Sequence, residues 1–315
     1  MRLLLSFRGL SAGTQIFLLI LIVMLSGILS LAVAYLAAIA IWGPLVLSPS
    51  ADSQAISLHF IRLTQIINQI GFFILPPLLW ARLSESNPAQ FLGFNKPRRV
   101  HILFTVLIMA AAGPAIGFLI EWNEGLSLPQ WLSGLDNWMR SAEEAASQLT
   151  EKFLMVSSPG GLVINIIMIG LLPAIGEELL FRSALIGIFR KIFKGIHLPV
   201  IISAVLFSAM HLQFFGFFPR LLLGLAFGYL FVWSGSFWIP AMAHFINNTM
   251  VVVASYLYAN GFTTISAENL GKSDSSVWIM ASAIVCLTLL FMVYKTRCDA
   301  TPCQIKPDDA SLNAG

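Results

Sequence analysis

Apolar residues in this chain come in long unbroken blocks, and polar residues are confined largely to the gaps between them. Blocks without a polar stripe predict helices buried all round, as in a bilayer. Runs reaching or approaching the ~20 residues that cross a hydrocarbon core lie at 14–41, 60–80, 100–120, 160–189, 198–212, 217–233, 237–258 and 277–294. The pattern predicts an all-α fold, a polytopic transmembrane helical bundle of about eight spans. The block at 198–212 is short, and Pro76-Pro77 and Pro173 are placed to kink their helices. The first block is too long for a signal-peptide core and no clear small-residue cleavage site follows it, so an uncleaved first helix is expected. The longest gap, 121–159, is acidic and holds Trp122, Trp131 and Trp138, a residue type that favours the headgroup zone. Within it, 141–155 predicts a short amphipathic helix on the outer surface. Residues 299–315 are polar and expected to be disordered. No convincing internal repeat is present, which weighs against the inverted-repeat transporter folds.

Composition agrees with a membrane solvent: 57% of residues are apolar and only 10% charged, against roughly 25% charged in a soluble domain. The basic residues set a direction. With the N-terminus inside, twelve of them fall on the cytoplasmic side, among them Arg82, Lys96, Arg98, Arg190 and Lys295. Five fall outside, namely Arg62, Arg140, Lys152, Arg220 and Lys272, and Arg182 is within the membrane. Both termini are then cytoplasmic. The basic residues form no stripe, so the composition argues for a lipid bilayer as partner and against nucleic acid. Cys286, Cys298 and Cys303 make no disulfide framework, and the last two are poorly spaced for zinc; free thiols are expected.

Charge inside a span changes the picture. Between residues 160 and 189 the only charged residues are Glu177, Glu178 and Arg182. Each costs about 2.5–3.5 kcal/mol in hydrocarbon even on lenient scales, so they must face a protein interior or a wet cavity. Glu178 and Arg182 are four apart on a helix, acid first, and meet on one face. Glu177 is turned from that face by about 100°. The expectation is a structural clamp of Glu178 with Arg182, leaving Glu177 as the acid available for chemistry, since burial shifts a carboxylate toward general-base use. Two later blocks carry Phe207 with His211, and His244 with Asn248, each pair sharing a helix face. His59, His101 and His197 sit at span ends, where imidazole costs little. Counting along each span places Glu177, His211 and Asn248 at similar depth, about 17–20 Å from the basic end. Gly224 and Gly228 predict a small-residue face for close helix packing. The string Gly9-Leu10-Ser11-Ala12-Gly13 matches a serine elbow in letters only, without its strand–turn–helix context.

The ordered set Glu177-Glu178 with Arg182, then Phe207 with His211, then His244 with Asn248, resembles the CPBP family of intramembrane proteases, the CAAX proteases and bacteriocin-processing (Abi) enzymes. The resemblance covers about residues 166–253, and every motif position is present. It implies an integral membrane endopeptidase of the bacterial plasma membrane, of the CAAX prenyl protease 2-like kind. In such enzymes Glu177 and His211 would activate water, and His244 and Asn248 would polarise the scissile carbonyl. Glu178, Arg182 and Phe207 would support them. It also implies a peptide or membrane-protein substrate, without requiring a prenyl group. Glu177, His211 and His244 are acceptable ligands for a divalent metal such as zinc, a glutamate-type mechanism needs none, and the sequence leaves both open. The chain then divides into N-terminal spans and outer loop (1–155), protease core (156–260), last span (261–298) and tail (299–315). Two rival readings remain: a non-catalytic scaffold or bacteriocin-immunity protein, and a proton-coupled transporter using Glu177 and the histidines as a relay.

Overall fold

The computed structural model describes residues 7, 9–43, 54–266 and 269–298, and among them there is no strand. The polar tail at 299–315, Cys303 and most of the residues before the first helix lie outside the described residues. Helix α1 (Ala12–Trp42) opens where Ser11 Oγ accepts a hydrogen bond from the Thr14 amide, so the serine of the elbow-like string is a helix cap. It closes at Gly43, whose φ of 79° suits glycine.

Helix α2 (Leu58–Ser84) and the long α6 (Pro159–Ile192) are two of the elements that carry buried polar groups. Each contains proline, and each answers it with a wide π turn where the sequence predicts a kink. A proline cannot donate to the carbonyl four residues earlier. In α2 the turn runs over Ile70–Ile74, just before Pro76-Pro77, and the Leu75 amide reaches back five residues to the Ile70 carbonyl. In α6 it runs over Ile166–Leu171, before Pro173, with Leu172 bonded to Ile167. A second wide stretch, Glu178–Leu185, follows at the charged residues themselves. Such bulges are frequent at functional sites in helices.

The block expected to cross at 100–120 is instead two helices, α3 (Arg99–Ala111) and α4 (Gly113–Glu124), bent by 50°. Pro114 stands in the first turn of α4 and cannot continue the α3 hydrogen-bond ladder. Helix α5 (Ser133–Leu154) begins eight residues before the predicted surface helix. Asp136 extends it: its carboxylate accepts the Leu128 amide at 3.0 Å and pairs with Arg140 at 2.8 Å. Those two contacts hold the Asp136 carboxyl below the usual carboxylate range. The remaining helices are α7 (His197–Ala209), α8 (Phe217–Ser234), α9 (Trp238–Ala259) and α10 (Ser276–Lys295).

Among the described residues, five helices are long and apolar enough to cross a membrane, six if the bent pair is one span. About eight were expected. Helix α7, with 13 residues, extends about 20 Å, short of a hydrocarbon core of about 30 Å. Helix α9 has 22 residues, but His244, Asn247, Asn248 and Thr249 interrupt its apolar character, and it is not among the five. Helix α7 still presents an exposed apolar face through Leu198, Ile201, Val205 and Leu206, whereas the polar residues of α9 around His244 face other helices, where apolarity is less constrained than at a lipid-facing surface.

One apolar cluster joins α1, α2, α6 and α7 around Trp80, Leu179, Phe181, Ile188 and Val200. A second joins α3, α8, α9 and α10 around Ile108, Phe227, Leu230, Ile239 and Val293. The small-residue face of α8 is used as expected. A Cβ on Gly228 would lie 2.8 Å from Val200 Cγ1, and one on Gly224 3.2 Å from the Phe207 ring, so α7 packs directly on α8. At one end, Lys191 of α6 pairs with Glu85 at 2.7 Å and donates to Gln15 of α1. Outward faces of α1 and α10 are apolar, with Phe17, Leu29, Leu36, Trp278 and Leu287 well exposed, as lipid-facing helices require. Cys286 and Cys298 are free thiols.

Candidate active site

Glu177, Glu178 and Arg182 are buried at 8%, 0% and 0% exposure, so none faces lipid. Arg182 Nη1 lies 3.1 Å from Glu178 Oε1, Nη2 donates to the Gly224 carbonyl of α8 at 3.4 Å, and the guanidinium sits over the Phe207 ring at 4.3 Å. The glycine face of α8 makes that carbonyl reachable. Phe207 thereby receives a cation–π contact on its face, and meets His211 and His244 edge-on at 5.2 and 5.9 Å.

Glu178 does more than hold Arg182. Its Oε1 also accepts from His244 Nδ1 at 2.9 Å. A carboxylate flanked by arginine can only accept, so the imidazole carries its proton at Nδ1, and Nε2 is turned the other way. There it lies 3.9 Å from Glu177 Oε2. Helical spacing places the two acids on different faces, yet both reach one imidazole, at opposite nitrogens. Phe227 of α8 stacks on the same ring at 5.4 Å and 27°. Phe227 carries no motif signal; an aromatic in an apolar run is indistinguishable from core until its neighbour is known.

His211 is not on a helix. Helix α7 ends at Ala209, His211 follows in the turn, and Leu212 has φ of 52°. The helix-face relation to Phe207 survives in another form: His211 Nδ1 donates to the Phe207 carbonyl at 2.9 Å, which leaves Nε2 as the free nitrogen. His101 lies at a helix end as expected and is buried there, its Nε2 3.1 Å from the Thr296 carbonyl.

Asn248 is held by α6. Its Nδ2 donates to the Ile169 carbonyl at 3.0 Å. Ile169 is four residues before Pro173, whose ring nitrogen has no N–H to offer that carbonyl. The Asn248 oxygen accepts from Asn247 Nδ2 at 3.1 Å. The helices can approach here because Gly170 faces Thr249, where a Cβ would come within 2.6 Å of Oγ1.

Glu177, His211, His244 and Asn248 all line one cavity of about 550 Å³. Its wall is completed by residues from other elements: Gln65 of α2, Ala146, Leu149 and Phe153 of α5, and Arg220 of α8. The apolar face of α5 therefore covers the polar groups instead of only resting on an outer surface. A second buried contact reaches Glu177 from α2, where Gln69 Nε2 donates to Glu177 Oε1 at 3.2 Å. Neither Gln65 nor Gln69 was singled out in the sequence, because a glutamine carries no charge and stands out little within its block.

The metal question can be put to these residues directly. Among the described residues no group of three or more His, Cys, Asp or Glu side chains is arranged to hold a metal ion. Nδ1 of both histidines is hydrogen-bonded to a protein oxygen, which leaves Nε2 of each as the nitrogen a metal would take. As arranged here, Glu177, His211 and His244 are not brought together as a three-ligand set.

Residues 159–250 match a protein-family model described as type II CAAX prenyl endopeptidase, Rce1-like. That segment holds every motif residue from Glu177 to Asn248, and it is the family the motifs resemble. The helical architecture and this match support the fold of a CAAX-type intramembrane protease in an integral membrane protein. No curated protein and no solved structure matches the chain.

Proposed function

We propose that this chain is a glutamate-type intramembrane endopeptidase of the CAAX prenyl protease 2-like kind, acting on a peptide or membrane-protein substrate. The observation that carries the reading is the meeting of Glu177, His211, His244 and Asn248 in one cavity, with the His244 tautomer set by Glu178. Glu177 Oε2 is the carboxylate oxygen directed toward the cavity histidine, and serves as the general base that takes a proton from water. His211, presenting Nε2, orients that water. The resulting hydroxide adds to the scissile carbonyl carbon, and the carbonyl electron pair moves onto oxygen. His244 and Asn248 face the oxyanion. His244 donates to the oxyanion from Nε2 in its imidazolium form, in which both ring nitrogens carry protons and Nδ1–H is held by Glu178. Asn248 has one amide hydrogen on the Ile169 carbonyl and a second left to donate. Collapse of the tetrahedral species breaks the C–N bond, and the proton held by Glu177 passes to the leaving amine.

Peptide profiling of membranes carrying the wild-type chain or Glu177→Gln tests the reading. Cleavage products present with the first and absent with the second, at equal folded protein, are expected. A scaffold would show no product difference, and a relay transporter would show proton-coupled flux in proteoliposomes without cleavage.

A further inference from the structure

The residues assigned to chemistry all lie within 159–250, yet one buried donor to Glu177 comes from far outside it. Gln69 of α2 is 4% exposed and donates to Glu177 Oε1 at 3.2 Å. We infer that Gln69 is a positioning residue for the general base: it ties one carboxylate oxygen so that the other, Oε2, faces His244 and the attacking water. The inference rests on the peptidase reading above.

The local build explains why a glutamine can do this. Gln69 is the last residue before the π turn Ile70–Ile74. That wide turn changes the angle at which successive side chains leave the helix. It also presses α2 onto α6, where a Cβ on Gly176 would lie 2.7 Å from Phe73 Cβ. On its other side α2 is pinned to α1. Asn68 accepts from Ser30 Oγ at 2.9 Å, and a Cβ on Gly71 would sit 2.3 Å from Ser30 Cβ. Gln69 is thus fixed between two packed neighbours, at the level of Glu177. Gln65, one turn earlier, lines the cavity, whereas Gln69 acts on the carboxylate from behind. An amide suits the position. It donates without adding charge, so Arg182 stays the partner of Glu178 alone. A lysine there would neutralise the base, and an acid would repel it.

Two variants remove the donor with little change of volume, Gln69→Leu and Gln69→Met, the second keeping the unbranched shape. Each is expected to lower kcat about 10- to 100-fold, the scale of a misplaced catalytic group, with KM within about twofold. A structural role predicts no selective effect on kcat in properly folded protein. The direct readout is infrared spectroscopy. The Glu177 carboxylate band is isolated by subtracting the spectrum of Glu177→Gln, once in the wild-type background and once in each Gln69 variant. A shifted band supports the contact whether or not a substrate is in hand. A band unmoved by either variant overturns the assignment. So does unchanged kcat in both variants when Glu177→Gln abolishes cleavage. If wild-type membranes show no cleavage that depends on Glu177, the peptidase reading fails and the inference falls with it, while the band still reports on the Gln69–Glu177 contact itself.

Discussion

The two neighbouring acids differ in their partners: Glu178 Oε1 takes Arg182 and His244 together, while Glu177 meets Gln69 and the other face of the same imidazole. Glu178 holds both the Arg182 guanidinium and His244 Nδ1, so removing it strands a charge at 0% exposure. Glu178→Ala and Arg182→Ala are each expected to cost about 3–5 kcal/mol, seen as lost folded yield and a lowered Tm in detergent. Glu177→Gln keeps size and can still bond Gln69, so it is expected to leave Tm nearly unchanged. Equal loss in both kinds of variant would refute the division. Asn248 is a mixed case. Asn248→Ala leaves the Ile169 carbonyl without its donor, costing about 1–3 kcal/mol, and lowers kcat by roughly 10²–10³ if the second amide hydrogen serves an oxyanion. Asn248→Asp places a carboxylate against that carbonyl and is expected to be worse on both counts. A stable Asp variant with normal turnover would reduce Asn248 to a helix–helix contact.

Prolines set the geometry of whole elements here by what they fail to donate. Pro173 leaves the Ile169 carbonyl to Asn248, which couples a helix irregularity to a polar residue on another helix. Pro173→Ala returns a backbone donor that competes with Asn248. Thermal stability is then expected to hold or rise, while turnover falls as Asn248 loses its anchor; melting and cleavage measured on one preparation separate the two effects. Glycine substitutions sort by element in the same way. Gly228→Ala puts a Cβ 2.8 Å from Val200 Cγ1 and is expected to destabilise. Gly134→Ala on α5 meets nothing within 4 Å and is expected to stabilise by about 0.5–1 kcal/mol. On the same helix, the Asp136 carboxyl is held low by the Leu128 amide and Arg140. Its contribution is therefore present above the unfolded carboxylate range and lost only as pH falls through the depressed value. Hydrogen exchange at the Leu128 amide is expected to stay slow at neutral pH and to quicken in Asp136→Asn.

At the scale of the molecule, the site is assembled from segments far apart in sequence. The segment 159–250 holds all the motif residues, but Gln65, Ala146, Leu149 and Phe153 wall the same cavity, and Gln69 reaches Glu177. A chain reduced to 156–260 is expected to aggregate in detergent on size exclusion and to lack any Glu177-dependent cleavage. A monodisperse, active fragment would show that α1, α2 and α5 are dispensable.

Charge inside an apolar block has few physical solutions, which is why Glu177, Glu178, Arg182, His211, His244 and Asn248 could be picked out from their letters and spacing. Helix-forming apolar runs could be read for the same reason, since backbone in a bilayer must satisfy itself. Helix spacing also anticipated the approach of Glu178 to Arg182. Span count was less legible: α7 is too short to cross, and α9 carries polar residues that face other helices, where lipid does not impose apolarity. The bend between α3 and α4, and the π turns that replace kinks in α2 and α6, depend on which carbonyls find other partners. Only tertiary structure decided that Glu178 sets the His244 tautomer, that Phe227 stacks on that imidazole, and that Gln69 stands behind Glu177. Those roles depend on a neighbour on another helix, and a neighbour on another helix leaves no periodic trace in the sequence.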